Sequence, residues 1–242
     1  LVDEARSVNT EKVFGLDGHI YAFDSTTIAL CLEVFEWAKF RKHKGGIKVY
    51  TLYDIEAQVP TFFHITPAAT NDMKAMPEIP YQKSAYYIFD RGYNDFANLY
   101  KIEQIEATFV VRAKKSLKFK QISWKRRLPK NILSDSTICF VVYKSSKDYP
   151  LSLRRVVYYD EEQGREFVFL TNNFVLPALM VAELYRSRWQ IELFFKWLKQ
   201  HLKIKKFWGT SENAVRIQIY CAIITYCLVV IAKRRIKIER SV

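Results

Sequence analysis

The hydrophobic pattern of this chain changes period several times, and each change marks an element. Residues 19–24 (HIYAFD), 47–55 and 60–66 are short β-rich runs, and residues 86–90 (YYIFD) form a compact apolar run of the kind a buried strand shows. The first of these strands is expected to end at Asp24 and the fourth at Asp90. A basic loop over residues 41–48 (RKHKGGIK) holds Gly45-Gly46, a pair that marks a hairpin-type turn, so the first three strands are expected to be consecutive and antiparallel. Residues 71–80 predict a short helix that Asp72 can cap. Asn94 or Asp95 caps a helix reaching about Ile105, with Phe96, Leu99, Tyr100 and Ile102 as its apolar contacts, and residues 107–111 return as a strand. Residues 137–143, 154–159 and 166–171 read as further strands. Pro177 introduces a long helix, and a last helix covers about residues 212–232. Residues 1–18 carry little signal.

Within the long helix, residues 185–199 read YRSRWQIELFFKWLK, without Gly or Pro. At about 100° per residue, Tyr185, Arg188, Glu192 and Lys199 fall within roughly 60° of one another. Ile191, Phe194, Phe195, Leu198 and Leu202 fall on a different, apolar side. Glu192 is the only acid between Arg186 and Lys206, a span holding seven Lys or Arg. A lone carboxylate among cations fits a metal ligand beside a polyanion. The plainer reading is a solvated face with an Arg188–Glu192 ion pair.

Composition narrows the class. A chain of 242 residues, half of them hydrophobic and 15% aromatic, builds one large domain or one domain with a sizeable insertion, and its composition argues against disorder. A net charge of +13 calls for a polyanionic partner, nucleic acid before an anionic membrane surface. Residues 112–130 concentrate that charge, with nine Lys or Arg among nineteen residues and no acid. Lys125, Arg126 and Arg127 are its candidate contacts to a DNA backbone, against the alternative of a solvated loop. Lys44 and Lys48, near Asp24 in sequence, are further candidates for phosphate contact. Cys31, Cys139, Cys221 and Cys227 show no paired spacing and read as reduced, mostly buried thiols of a cytosolic protein. No signal peptide opens the chain. Its longest apolar run, 14 residues over 219–232, is short for a membrane span and fits a buried core helix, so no membrane partner is expected.

The acids then acquire a common logic. Asp24 closes the first predicted strand, Asp90 closes the fourth, and Glu192 sits inside the late helix. If those strands lie side by side, the two aspartates meet at one sheet edge, and a helix laid across it brings Glu192 to them. Three carboxylates at one point repel unless a cation sits there. Mg²⁺, a hard ion taking oxygen ligands and substrate phosphate, suits such a site, with Mn²⁺ as a substitute. Two such ions about 3.5–4 Å apart serve phosphodiester cleavage. Taken singly, Asp24 before Ser25-Thr26-Thr27 reads as a turn former and Asp90 before Arg91 as a structural ion pair.

Tyr185, Arg188, Glu192 and Lys199 reproduce the spacing Y-x2-R-x3-E-x6-K, which resembles the signature of the IS4-family DDE transposases of bacterial insertion sequences. Asp90-Arg91-Gly92-Tyr93 looks like that family's second-aspartate motif and residues 21–27 (YAFDSTT) like its first. Residues 40–54 (FRKHKGGIKVYTLYD) also resemble it, with Tyr50 where a histidine is expected. The resemblance covers roughly residues 18–232. It implies a ribonuclease-H-like α/β fold, a mixed sheet flanked by helices, with a β-rich insertion before the last catalytic helix. Residues 1–112 would form the first part of the catalytic core, 113–175 the insertion, and 176–242 the catalytic and C-terminal helices that complete the core. Asp24, Asp90 and Glu192 would be the metal-binding catalytic triad, and Tyr185, Arg188 and Lys199 would contact DNA phosphates near the transposon end. The implied reaction is Mg²⁺-dependent cut-and-paste transposition: strand cleavage, a hairpin at the transposon end, hairpin opening and strand transfer. It implies double-stranded DNA as partner, a homodimer pairing two ends in a synaptic complex, and a nucleoid-associated place in the bacterial cytoplasm.

The chain departs from the family in showing no N-terminal DNA-binding domain and no longer C-terminus, and its start at Leu1 points to a fragment of something longer. Two alternatives stand beside the transposase: a nuclease of the same fold that cuts without joining, and an inactive truncated remnant that binds DNA. Trp124, the only tryptophan of the insertion, reads as a packing residue, with stacking on an extruded base as its alternative.

Overall fold

The computed structural model describes residues 1–9, 12–30, 35–41, 44–201 and 207–236. In chain order its elements are α1 (Val2–Ser7), β1 (Ile20–Leu30), β2 (Lys39–Arg41), β3 (Lys44–Asp54), β4 (Val59–Pro67), β5 (Tyr86–Phe89), α2 (Phe96–Gln104), β6 (Thr108–Arg112) and β7 (Phe119–Trp124). They continue with β8 (Ile132–Phe140), α3 (Tyr143–Asp148), β9 (Leu153–Asp160), β10 (Arg165–Thr171), α4 (Ala178–Ser187), α5 (Trp189–His201) and α6 (Glu212–Arg235). The architecture is mixed α/β, with parallel and antiparallel strand pairs and helices against them. The chain divides into two compact units. The first takes Leu1–Leu16, Ala22–Ile79 and Trp189–Val242, and the second takes Asp17–Tyr21 and Pro80–Arg188.

In the first unit β3 pairs antiparallel with β2 and with β4, and β1 lies next to β3. Tyr53 of β3, Phe194 of α5 and Tyr226 of α6 form its aromatic centre. The Tyr53 and Tyr226 hydroxyls are 3.0 Å apart, and the Phe194 ring lies 5.6 Å from Tyr53 and 4.8 Å from Tyr226. Fully burying one such ring is worth about 1.5–3 kcal/mol, and the hydrogen bond between the hydroxyls offsets part of the penalty of hiding two phenols. Arg234, near the end of α6, donates to the carbonyls of Ala5 and Glu56 at 3.1 and 3.0 Å, which fastens that helix to α1 and to the β3–β4 turn.

Several expectations for this unit are corrected. The sequence predicts Asp24 as the last residue of its strand, but β1 runs on to Leu30 and Asp24 lies in its middle. Thr26, Ile28 and Leu30 are buried while Thr27 and Ala29 are exposed, the alternation of a half-covered strand, and β-branched residues favour it. The Gly45-Gly46 pair is not the hairpin turn: Gly45 pairs with Lys39 inside the β2–β3 ladder. Gly46 allows close approach of backbone instead, since a Cβ there would stand 3.1 Å from the Ile28 carbonyl oxygen. The short 3-10 helix Asp72–Glu78 is capped by Asn71, whose side chain accepts from the Met73 N–H, and not by Asp72. Burial of α6 is one-sided. Ile219, Ile223, Cys227 and Val230 are buried, but Ile217, Ile224 and Leu228 are exposed. By length and composition alone α6 is also the described helix apolar enough to cross a membrane. Thiol burial is likewise mixed: Cys227 is buried, Cys139 half-buried and Cys221 exposed, while Cys31 lies outside the described residues.

In the second unit β5 and β6 are parallel, joined by the crossover helix α2, whose N-cap Asp95 accepts from the Asn98 N–H. β6 pairs antiparallel with β10, and β10, β9, β8 and β7 follow as an antiparallel series. Gly18 brings residues 17–21 against β5. It has φ +105°, a Cβ would meet the Ser84 carbonyl oxygen at 2.1 Å, and the next residue's carbonyl accepts from the Tyr86 N–H at 2.8 Å. The strands expected over 137–143, 154–159 and 166–171 are β8, β9 and β10, and the exposed strand β7 lies inside the basic stretch. The helix expected to run unbroken through residues 185–199 stops at Arg188. The Ser187 hydroxyl donates to the Leu184 carbonyl at 2.7 Å, and the Arg188 N–H closes a short bond to Tyr185 at 3.2 Å, so α4 ends there and α5 begins anew at Trp189.

One buried ion pair fixes the approach to α4. Arg154, 2% exposed, grips both oxygens of Asp135 on β8 at 2.8 Å each, and its remaining nitrogen donates to the carbonyls of Leu176 at 2.5 Å and Asn173 at 3.2 Å. Removing one partner of such a pair strands the other charge. Arg154→Met should therefore lower unfolding free energy by about 3–5 kcal/mol, and Arg154→Met with Asp135→Leu should recover much of the loss. Urea unfolding of the two variants checks this.

Candidate active site

Two groups of candidate residues stand out, one in each unit. In the first, Asp24, Ser25 and Thr26 of β1 and Glu192, Lys196 and Lys199 of α5 line a cleft of about 500 Å³. The helical period explains the second set: Glu192, Lys196 and Lys199 stand one above another, while Ile191, Phe194, Phe195 and Leu198 are buried. Leu202, expected on the apolar side, lies outside the described residues. Glu192 is in the first turn of α5 and Lys199 in the last, the ends where a carboxylate and an ammonium are each favoured. Asp24 is oriented locally, its Oδ1 accepting from the Ser25 main-chain N–H at 2.8 Å. Two hard oxygen donors beside two exposed ammonium groups fit a divalent cation next to a phosphodiester. Among the described residues, neither unit by itself gathers three His, Cys, Asp or Glu side chains into a metal-holding group.

In the second unit Asp90 directly follows β5. Phe89 stands opposite Val111 in the parallel ladder, so Asp90 and Arg112 each lie one residue beyond that pair. Buried Asn94 pins the loop, donating to the carbonyls of Arg91 at 2.8 Å and Arg112 at 2.7 Å, and Arg91 donates to the Ala113 carbonyl at 3.2 Å. The helix α4 packs against β5 and β6. From it Tyr185, 8% exposed with its ring 4.7 Å from Phe169, donates its hydroxyl to Asp90 Oδ1 at 2.7 Å. Burial pushes the Asp90 pKa up. The Tyr185 hydroxyl, the Arg91 N–H and the Arg188 and Arg112 guanidiniums outweigh it and bring the carboxyl below its usual range. The Tyr185 phenol is pushed up to about 12, by burial first and then by the Asp90 charge, so it stays a donor. The Arg188 guanidinium lies 5.7 Å from the Tyr185 ring centre.

The structure thus gathers Asp24, Glu192 and Lys199 on one cleft and Asp90, Tyr185 and Arg188 in one cluster. The Tyr185 hydroxyl, which the resemblance would set against a DNA phosphate, donates to Asp90 in this structure. Of the basic stretch, Arg126 and Arg127 are exposed, while the Lys125 ammonium stands 3.1 Å from Asp135 Oδ2. Trp124 is 63% exposed on β7. Sequence reasoning misses Arg112 as a neighbour of Asp90; the parallel register of two strands joined by a helix is the available signal. It also misses Asp72. Its pairing with Lys48 at 2.9 Å is long-range and leaves no local pattern.

Residues 16–228 match the family described as Transposase DDE domain. A Sinorhizobium fredii protein named as transposase y4zB is 37% identical over 216 residues, 87% of this chain and 60% of that protein. A Geobacillus stearothermophilus protein named as transposase for insertion sequence element IS5377 is 28% identical over 205 residues, 85% of this chain and 54% of that protein. The chain therefore spans less than two thirds of the length of either relative. Among solved structures, the cryo-EM structure of a piggyBac transposase synaptic complex with hairpin DNA is similar at a TM-score of 0.48 and 11% identity, over 88% of this chain and 47% of that one. With its two aspartate motifs and the spaced Tyr185, Arg188, Glu192 and Lys199 all inside the matched span, the chain belongs to the family of DDE-domain transposases.

Proposed function

We propose that this chain is the catalytic part of an insertion-sequence transposase of the IS4 type, built on a ribonuclease-H-like core. In this reading it cleaves DNA strands, forms and opens a hairpin at the transposon end, and joins the 3′ end to target DNA. Asp24, Asp90 and Glu192 are its catalytic carboxylates and hold Mg²⁺, or Mn²⁺ in its place. The observation that carries the reading is the cleft on which Asp24 and Glu192 stand with Lys196 and Lys199. Membership of a DDE family implies divalent-metal dependence. Cations held there would supply Lewis acidity for activating a water or 3′-OH and for steadying the leaving oxygen.

The chain's own residues do the rest. Lys196 and Lys199 draw a phosphate toward the two carboxylates of the cleft. Tyr185 keeps Asp90 ionised and turned one way by donating to its Oδ1, and Arg188 lends charge to Asp90 and grips phosphate. Arg126 and Arg127, with Lys125 in a lesser part, hold the DNA backbone from an insertion over residues 113–175. Residues 1–112 and 176–242 make up the core around it. The protein acts as a homodimer that pairs two transposon ends on double-stranded DNA, in the bacterial cytoplasm at the nucleoid.

Three outcomes test this reading. Asp24→Asn, Asp90→Asn and Glu192→Ala should each lower Mn²⁺-dependent cleavage of transposon-end DNA by about 10²–10³-fold, the scale on which one transition-state stabiliser acts. Unchanged cleavage by Glu192→Ala sinks the proposal, and cleavage of DNA without joining of pre-cut ends reduces the protein to a nuclease. Tyr185→Phe should raise the Asp90 pKa and move the acid limb of the cleavage profile to higher pH. Because the folded Asp90 pKa is depressed, its stabilising effect is present above the unfolded pKa and lost as pH falls through the folded one. The variant should accordingly lose about 1.5 kcal/mol at neutral pH and little in strong acid, read by urea unfolding at both. Finally, neutralising Arg126 and Arg127 should flatten the log–log salt dependence of DNA binding by about 0.9 for each phosphate that they neutralise in the wild type; a fluorescence-anisotropy salt titration with an unaltered slope removes the stretch from the DNA footprint.

A further inference from the structure

Beneath Asp24 the first unit holds a second, smaller network. Lys48 on β3 is largely buried, its side chain 14% exposed, and its ammonium lies 2.9 Å from Asp72 Oδ1. It also donates to the Thr70 carbonyl at 2.8 Å. Fully buried Tyr50, two residues along the same strand face, donates its hydroxyl to that carbonyl at 3.2 Å. The turn over residues 70–72 is therefore bolted to β3 by a cation and a phenol. Asp72 Oδ1 in turn accepts from the Ser25 hydroxyl at 3.3 Å. Ser25 is the residue whose main-chain N–H donates to Asp24 Oδ1 at 2.8 Å. Both Asp24 and Ser25 line the cleft.

A lysine of this kind has a simple structural use, the tying of two strands to a turn. That use does not explain why Asp72 Oδ1 takes two donors, one from the strand below and one from the residue next to Asp24. A salt bridge as exposed as Asp72, whose side chain is 41% exposed, adds little stability by itself. Its geometric effect is larger. A hydroxyl held by a fixed carboxylate restrains the Ser25 rotamer and its peptide plane, and so the direction of the N–H that sets the Asp24 carboxylate.

We propose that Lys48 and Asp72 are positioning residues for Asp24: the ammonium fixes Asp72, Asp72 fixes Ser25, and the Ser25 N–H sets the orientation in which Asp24 Oδ1 is presented to a divalent cation. This rests on the reading of Asp24 as a metal-holding carboxylate. Partners behind metal ligands are worth about 10–100-fold in metal affinity.

The test is Mn²⁺ binding to the whole chain, followed by the electron paramagnetic resonance signal of the free ion, with thermal unfolding in parallel. Asp24→Asn should weaken Mn²⁺ binding. Asp72→Ala should weaken it by about tenfold, and Asp72→Asn, which keeps an acceptor oxygen for Ser25 and Lys48, should restore most of the affinity. Ser25→Ala breaks the same link from the other side and should match Asp72→Ala, which keeps the test alive if that variant does not fold. If Asp24→Asn weakens binding but Asp72→Ala and Ser25→Ala do not, the positioning proposal fails and the reading of Asp24 stands. If Asp72→Ala and Asp72→Asn weaken it equally, charge and not the hydrogen-bonded link is responsible, and the proposal fails. If Asp24→Asn binds Mn²⁺ like the wild type, the reading of Asp24 fails and the positioning role falls with it.

Discussion

Two carboxylates, Asp90 and Asp24, are each held in one direction by donors that the fold fixes in place. Asp90 receives the Tyr185 hydroxyl from α4 and the Arg91 N–H from its own loop, with Arg112 and Arg188 supplying positive charge. Burial alone would raise its pKa, and the donors outweigh that. Asp24 is turned by the Ser25 N–H, which itself stands over the Lys48–Asp72 pair. In each unit the acid sits on or directly after a strand and takes a main-chain N–H from the next residue, and Asp90 takes a further donor from the helix packed on its strand. The buried Arg154–Asp135 pair belongs to the same design, because its free guanidinium edge holds the carbonyls of Asn173 and Leu176 just ahead of α4, the helix that carries Tyr185.

Much of this is legible in the chain, and the reasons differ by element. The apolar run YYIFD yields β5 because a parallel strand buried on both faces has few other readings, and Asp90, expected as its last residue, falls just past its end. The seven-residue spacing of Glu192 and Lys199 is two helical turns, so it survives the break at Arg188, and both residues do face one cleft. The break itself has no Gly or Pro to announce it. It arises when the Ser187 hydroxyl takes the Leu184 carbonyl, a local competition that propensity scales average away. Asp24 reads as a strand end because aspartate is rare inside strands, yet the alternation of Thr26, Ile28 and Leu30 outweighs that preference. The paired glycines read as a turn because turns are their commonest use, whereas Gly46 serves the approach of β3 to the Ile28 carbonyl.

The charges are the hardest part to read. A count of +13 says that the surface suits a polyanion, but it does not say which cations are already committed. Lys48, Lys125 and Arg154 each face an aspartate within about 3 Å, buried for Arg154 and at the surface for Lys125, so part of their charge is already answered within the chain. Lys196, Lys199, Arg126 and Arg127 are exposed, and the first two stand on the cleft with Glu192. Density of Lys and Arg along the sequence is therefore a poor guide to a nucleic-acid footprint, because an ammonium held by a buried carboxylate contributes far less to counterion release than one in solvent. Position on an element is the better guide. A cation one helical turn from a cleft carboxylate answers the charge of a ligand there, whereas a cation on the inner face of a strand answers the charge of the fold.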